Sequence, residues 1–462
     1  MRRVCLCFLI LAGLIGIACN GSEGTAGGGA PNGTAVLDLA PQNPTIAVGS
    51  QVGFRATVTF AGVTNDVTGT VTWTSSNPTV ATIDATGLAA GVSAGNTTIT
   101  ATSAGVSIST RLTVTAPASN VPPVPDDGIA PVLNGPTWVS VADFNQDGRQ
   151  DVAAVNTISD AVSILLGNGN GALNVPISFT ASSAPLSAAA ADFNRDGLPD
   201  VATANANTGD SSVLLGAGGG LLAAARNFAA GTVPSAIQAA DLNGDGVLDL
   251  AVALVAADSV AGLLGNGDGT FQAPRFSPVG DAPFSLALGD LNGDGLLDVV
   301  VTNFDANTMS AALGNGDGTF AAPQAVAMPD GPRYVALGDF DQDGRLDAAV
   351  ACRRAGVLAL SFGNGDGTFQ APVNLALNAL EPTAVVADDF NQDGRLDLAV
   401  SLFGGSVDTF LSTAPGIFGA PTNRAAGQRA LHLATGDFNG DGRPDIVTAD
   451  STGDQVVVLL TQ

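Results

Sequence analysis

Nine residues, Asp143-Phe-Asn145-Gln-Asp147-Gly148-Arg-Gln-Asp151, return six more times along this chain. The copies begin at Asp192, Asp241, Asp290, Asp339, Asp389 and Asp437, so successive starts lie 49, 49, 49, 49, 50 and 48 residues apart. Self-similarity at such a period marks a solenoid, a propeller or an array, in which each unit completes its core only by stacking on neighbours.

Oxygen side chains occupy positions 1, 3, 5 and 9 of every copy. They are Asp143, Asn145, Asp147 and Asp151; Asp192, Asn194, Asp196 and Asp200; Asp241, Asn243, Asp245 and Asp249; Asp290, Asn292, Asp294 and Asp298; Asp339, Asp341, Asp343 and Asp347; Asp389, Asn391, Asp393 and Asp397; and Asp437, Asn439, Asp441 and Asp445. Position 6 is always Gly (Gly148, Gly197, Gly246, Gly295, Gly344, Gly394, Gly442). A hard cation takes six to eight oxygens, so this spacing predicts a calcium loop in which position 7 adds its carbonyl and the glycine permits the sharp turn. About seven Ca²⁺ per chain are expected on that count. Ordinary Asp/Asn turns use the same residues, but three Asp in each of seven loops plus Asp341 make 22 carboxylates, a crowding that calls for a counter-ion.

At position 12, where an EF-hand places Glu, the copies carry Ala154, Thr203, Val252, Val301, Val350, Val400 and Thr448. Short apolar segments such as Val299-Val-Val-Thr302 follow, which read as buried strands. The unit opening at Pro382 predicts strands over 382–388, 398–402 and 407–411 and a fourth around Phe418-Gly-Ala-Pro421. Four strands in each of seven units predict an all-β, seven-bladed β-propeller. The Gly-rich turn before the fourth strand, as in Gly265-Asn-Gly-Asp-Gly-Thr-Phe271-Gln-Ala-Pro274, reads as structural, with its Phe packed between blades. The last unit stops at Val456–Leu460 without a fourth strand, and Ile129–Leu133 resembles the missing one, so ring closure by strand exchange is expected.

Net charge is −26, but 22 of the 42 acidic residues stand in the loops, so acidity reflects metal sites. Nothing resembles a basic stripe, which argues against a nucleic-acid partner. All 16 basic residues are Arg, with no Lys, one His (His432) and one Tyr (Tyr334). Acid-base and Schiff-base chemistry are thus short of their usual agents, and an enzyme is not the first reading.

Residues 1–18 read as a secretory signal: Arg2-Arg3, then an apolar run from Val4 to Ala18. Its end, Gly16-Ile17-Ala18-Cys19, resembles the lipobox of bacterial lipoproteins, which implies a lipidated Cys19 and an outer-membrane or cell-surface location. Residues 19–34 form a Gly-rich tether. Residues 35–116 change to short Thr/Val strands. Val71-Thr-Trp73-Thr-Ser-Ser-Asn77 through Asp84, with Gly87-Leu88 and Ala94-Gly95, resembles the bacterial Ig-like group 2 family, whose modules serve as spacers; Trp73 reads as core. Residues 117–128, with Val-Pro-Pro-Val-Pro, form a stiff linker.

Residues 129–462 resemble FG-GAP and VCBS-type repeats, found in the propeller of integrin α-subunits and in bacterial surface proteins. That resemblance implies calcium and extracellular recognition of a glycan or protein, with a polysaccharide lyase-like enzyme or a structural envelope component as alternatives. Recognition is expected on the face opposite the calcium loops. Residues five before each first Asp (Trp138, Ser187, Ala236, Ser285, Tyr334, Ala384, His432) are expected to ring the channel mouth, with Arg353 and Arg354 beside Arg333 as the one basic cluster. Trp138, Arg333, Tyr334, Arg353, Arg354 and His432 are the candidate ligand residues, suited to a sugar bearing a carboxylate.

Overall fold

A computed structural model describes residues 36–48, 51–60, 63–103, 105–115 and 128–461, and every regular element among them is a strand. The leader, Cys19, the tether and residues 117–127 of the linker lie outside the described residues. The chain divides into two compact units, Met1–Asn120 and Val121–Gln462.

In the first unit, strands Gly95–Ser103 and Val106–Thr115 alternate Thr or Ser with apolar residues, and they pair antiparallel with Ile108 opposite Ala101. A period of two sends Ile99, Ala101, Leu112 and Val114 to the core. The outward hydroxyls bond across the ladder, Thr100 to Ser109 at 2.8 Å and Thr102 to Ser107 at 2.9 Å. Trp73 is buried beside Phe54, and its indole N–H donates to the Thr68 carbonyl at 3.1 Å. It is a core residue, as expected.

The second unit is built from seven four-stranded antiparallel sheets. The first runs Pro136–Ala142, Asp151–Asn156, Ala161–Leu165, Ile177–Thr180 from inside outward. Its second strand is buried at all six positions and its third at all five, which is why these segments are continuous apolar runs without alternation. The innermost strands touch one another in a closed ring, Pro136–Ala142 lying against both Pro185–Ala191 and Ala430–Gly436. This is a β-propeller architecture.

The last sheet takes its outermost strand from the other end of the unit. Ile129–Pro131 pairs antiparallel with Gln455–Leu459, Ile129 opposite Val457, and the Val458 N–H donates to the Gly128 carbonyl at 3.0 Å. The exchange expected from the sequence is present and covers the open edge.

The outermost strands lie later than expected. Phe418 belongs to a small hairpin, Ser412–Ala414 with Ile417–Phe418, and the sheet's outermost strand is Thr422–Ala425, beyond Pro421. The cause is the glycine turn, which folds Phe back across it (Gly265 bridges Phe271), so the ladder starts only after the proline. Phe271 then packs edge-on to Phe193 at 5.6 Å and Phe228 at 5.5 Å, both from the preceding sheet.

Each innermost strand carries a register shift near its start, between Pro136 and Trp138 in the first sheet and at the equivalent positions of the next five, while in the last it lies between Ala430 and Leu433 and leaves both Leu431 and His432 out of the ladder. Such a bulge leaves one residue out of the ladder and re-aims its side chain. It decides what lines the channel.

Candidate functional site

Ala142 pairs with Asp151 at one end of the first ladder and Pro136 with Asn156 at the other. The nine-residue loops therefore occupy one face, and the turns between second and third strands occupy the opposite face together with the starts of the innermost strands.

Each loop is organised by its own acids. The Asp143 carboxylate accepts the N–H groups of Asp147 (3.0 Å) and Gly148 (2.8 Å), while the Asn145 side-chain oxygen accepts that of Asp147 at 3.0 Å. The same pattern recurs at Asp241, Asp290 and Asp389. These bonds curl the chain around the side chains of positions 1 and 3. Where position 3 is also acidic, one oxygen each from Asp339, Asp341 and Asp347 lies within 4.8 Å of the others. Three carboxylates so gathered fit a hard cation; among the described residues no other loop gathers three acids in this way, the remaining six carrying Asn at position 3.

Position 9 does more than offer a ligand. Asp151 is fully buried, with one oxygen accepting the Phe144 N–H at 2.8 Å and the other the Gly167 N–H at 2.7 Å. It ties the loop to the glycine turn, as do Asp200, Asp249, Asp298 and Asp347. Burial, reinforced by the charges at positions 5 and 1, pushes Asp151, Asp200 and Asp249 up to about 6 against these hydrogen bonds. Asp298, Asp397 and Asp445 shift the same way for the same reasons. A bound cation would offset that repulsion.

Successive loops are also linked, a feature that spacing alone did not reveal. Position 4 is left-handed in every copy, at Gln146 (φ 59), Arg195 (φ 60), Gln342 (φ 59) and Gln392 (φ 59), and at Gly244, Gly293 and Gly440. Where it is not Gly, its side chain reaches the position-6 carbonyl of the next loop: Gln146 to Gly197 at 2.6 Å, Gln342 to Gly394 at 3.2 Å, and Gln392 to Gly442 at 2.6 Å. The unfavourable backbone of Gln146 is held by that bond.

On the opposite face the ring at the mouth lies one residue earlier than expected. Thr137, Leu186, Ser235, Phe284, Arg333, Thr383 and Leu431, the bulge residues, line a cavity of about 70 Å³, while Ser187, Ala236, Ser285 and Ala384 are buried below them. Trp138, Tyr334 and His432 also border this cavity, but they are packed on one another. Trp138 stacks on His432 with ring centroids 3.6 Å apart and sits 5.7 Å from Tyr334, whose hydroxyl oxygen is 2.8 Å from His432 Nε2. The three fill the channel because the other four positions are small. Burial pushes the His432 imidazole down to about 3, so the ring is neutral, and burial likewise raises the Tyr334 phenol. Since His432 Nδ1 accepts the Val139 N–H at 3.4 Å, the ring proton is on Nε2 and is donated to the Tyr334 oxygen.

Arg333, Arg353 and Arg354 are brought together, with one addition. The guanidinium carbon of Arg333 lies 4.6 Å from the Phe284 centroid and that of Arg354 4.3 Å from Phe304; Arg353 and Arg429 share Phe403 at 4.5 and 4.0 Å. These aromatic faces are covered by guanidinium groups and are not open to a sugar ring. Arg429 was not foreseen, since it lies in irregular chain two sheets away from Arg333. The only sequence signal for it was its place just before an innermost strand, where Arg333 also stands near the start of one.

Comparisons with known proteins agree with this architecture. The bacterial Ig-like domain (group 2) matches residues 35–114. Ice-binding protein 1 of Shewanella frigidimarina is 35% identical over 129 residues, which are 28% of this chain and 13% of that protein, so the chain spans a small part of its length. Among solved structures, BBS1N in complex with ARL6DN superposes with TM-score 0.54 at 14% identity, over 73% of this chain and 95% of that one. The periplasmic gluconolactonase PpgL of Pseudomonas aeruginosa gives 0.50 at 16% identity, over 71% and 89%. At such identities these structures share the fold alone. The FG-GAP-like repeat matches six overlapping times, over 143–203, 194–252, 251–301, 290–350, 339–400 and 389–448, and the chain belongs to the FG-GAP-like repeat family.

Proposed function

We propose that this chain is a calcium-stabilised binding protein of a bacterial surface. In this reading the repeats form a seven-bladed propeller whose loop face holds about seven Ca²⁺, one per oxygen loop. The opposite face meets an extracellular glycan or surface protein. The Ig-like module is a spacer, and a lipid on Cys19 fixes the chain to the outer membrane or cell surface. The observation that carries the calcium reading is the convergence of Asp339, Asp341 and Asp347 in a loop written seven times. The likeness to an ice-binding protein supports a surface-associated repeat protein and no particular ligand.

One observation favours a second reading, a carbohydrate-active enzyme of the lyase type. Arg333, Tyr334 and His432 border one cavity, which places a cation beside two groups able to exchange protons. Burial of the phenol opposes its ionisation, and the enzyme is therefore second.

The full chain, with calcium and then with a chelator, is to be applied to immobilised polygalacturonate, alginate and dextran and to a panel of surface proteins. Calcium-dependent retention without release of unsaturated sugars is expected. Release of such sugars would establish the enzyme, and retention by none of the panel would remove the binding reading. Labelling with a fatty acid that survives Cys19→Ala would refute the anchor.

A further inference from the structure

We propose that the cavity at the channel mouth is a binding site for the carboxylate of a hydroxy acid, a uronic acid residue of a polysaccharide, with Arg333 as its principal counter-ion. The inference rests on the reading of this face as the recognition face.

The charges around the cavity do not balance. Arg353 pairs with Glu381 at 3.0 Å, and Arg354 with Asp305 at 3.3 Å and Asp330 at 3.7 Å. Arg333 and Arg429 have no carboxylate within ion-pairing distance among the described residues. Arg429 is exposed, but Arg333 is part-buried in the cavity wall, where an unpaired charge is costly unless a partner arrives. Burial, then the positive fields of Arg353 and Arg429, draw the Arg333 guanidinium down to about 10, so it stays charged at neutral pH. In a chain of net charge −26, this is where an anion is stabilised and not repelled.

The remaining polar groups specify what accompanies the anion. Ser235 donates its hydroxyl proton to the Pro283 carbonyl at 3.1 Å and Thr383 to the Ala430 carbonyl at 2.8 Å; Thr157 donates to the Pro185 carbonyl at 2.6 Å, so Thr137 donates to the Thr157 oxygen at 2.7 Å. With their protons used, these hydroxyls act only as acceptors, and of the three Thr137 is the part-exposed one, Ser235 and Thr383 being buried. The Tyr334 oxygen accepts from His432 Nε2, which leaves its own O–H to donate. A fitting ligand therefore has an acceptor anion for Arg333 and Tyr334, and a hydroxyl donor for Thr137. A sugar acid has both, whereas an acidic peptide has carboxylates without the hydroxyls. A cavity of about 70 Å³ admits the carboxylate and a water or two, so the sugar ring stays at the rim.

The test is calorimetric titration of the calcium-loaded full chain with sodium galacturonate and with galactose. Saturable binding of galacturonate and none of galactose is expected. Arg333→Gln should weaken galacturonate binding about tenfold or more, the loss of a hydrogen bond to a charged group. Its melting temperature should hold or rise, because it relieves the crowding of like charges. If Arg333→Gln does not fold, Tyr334→Phe, which removes the second donor to the anion, is read in its place, and Arg111→Gln in the first unit serves as the charge-matched control. Equal binding of galactose, or undiminished galacturonate binding in both variants, overturns the site. Tighter binding of poly-aspartate than of polygalacturonate overturns the sugar-acid assignment. If polygalacturonate is retained equally by wild type and Arg333→Gln, the binding-protein reading stands and this subsite falls.

Discussion

On the loop face the same oxygen set is repeated seven times with one substitution, Asp341 for Asn. On the opposite face the equivalent positions hold Thr, Leu, Ser, Phe, Arg, Thr and Leu, and the chain's only Tyr and His are concentrated there with Trp138 and four Arg. The repeated face solves a problem that every unit has, namely closing a turn and tying it to the next unit, so its chemistry recurs with the fold. The irregular face departs from the repeat where departure gives the ring nothing in symmetry, and an asymmetric ligand needs such departures. Acids dominate the first face, while the second gathers four guanidinium groups of which Arg353 and Arg354 are paired with carboxylates and Arg333 and Arg429 are not, so the two are expected to respond in opposite directions to cations and anions.

Removing calcium is expected to have the largest effect and to separate the faces most sharply. An ion held at a hundred times its Kd adds about 2.7 kcal/mol, and several ions act on one cooperative ring. Chelation should lower the calorimetric melting temperature by tens of degrees, and an unchanged transition would mean that the loops are plain hydrogen-bonded turns.

Next is deletion of Ile129–Pro131, which exposes the edge of Gln455–Leu459. A lower melting temperature and self-association on a sizing column are expected, since an open strand edge recruits another chain. A monomer with native stability would show that the exchanged strand is dispensable.

Trp138→Ala comes third. Its ring stacks on His432 and packs at a tilt against Tyr334, so the cost should be about 3 kcal/mol in urea unfolding, with calcium content unchanged. A neutral effect would move Trp138 from the channel filling to a pure ligand contact.

The smallest effect is on pH dependence, where the signs oppose. Asp151, Asp200, Asp249 and Asp347 rise from 3.8 to about 6 in the fold, so the calcium-free chain binds extra protons when folded and loses stability as pH rises from about 4 to 6. His432 falls from 6.5 to about 3, so its contribution is full above 6.5 and is lost as pH falls toward 3. Urea midpoints of the chelated chain between pH 4 and 7 should therefore rise on acidification near pH 6, and more steeply in His432→Gln. The same slope in both proteins would contradict the neutral, buried imidazole.

Much of this was legible because the repeat is short-range chemistry written at a fixed period. Asp-x-Asn-x-Asp-Gly names a turn locally, and the missing last strand named Ile129–Leu133 by subtraction, of which Ile129–Pro131 pairs. What was not legible depended on geometry that no residue encodes alone. The bulge after Pro136 shifts the mouth ring by one residue, and alternation cannot tell which parity faces the axis once a bulge intervenes. The double role of Asp151 needed the position of Gly167, sixteen residues on in the chain. Arg429 meets Phe403 only because the ring brings neighbouring sheets together.

The central contrast, a repeated face proposed to hold cations against an irregular face proposed to hold an anion, is tested most directly by counting metal. Elemental analysis of the full chain after extensive desalting should find about seven calcium ions per chain, one for each oxygen loop. Fewer than about four would contradict it, because the loops would then be too alike in sequence to be so unlike in chemistry.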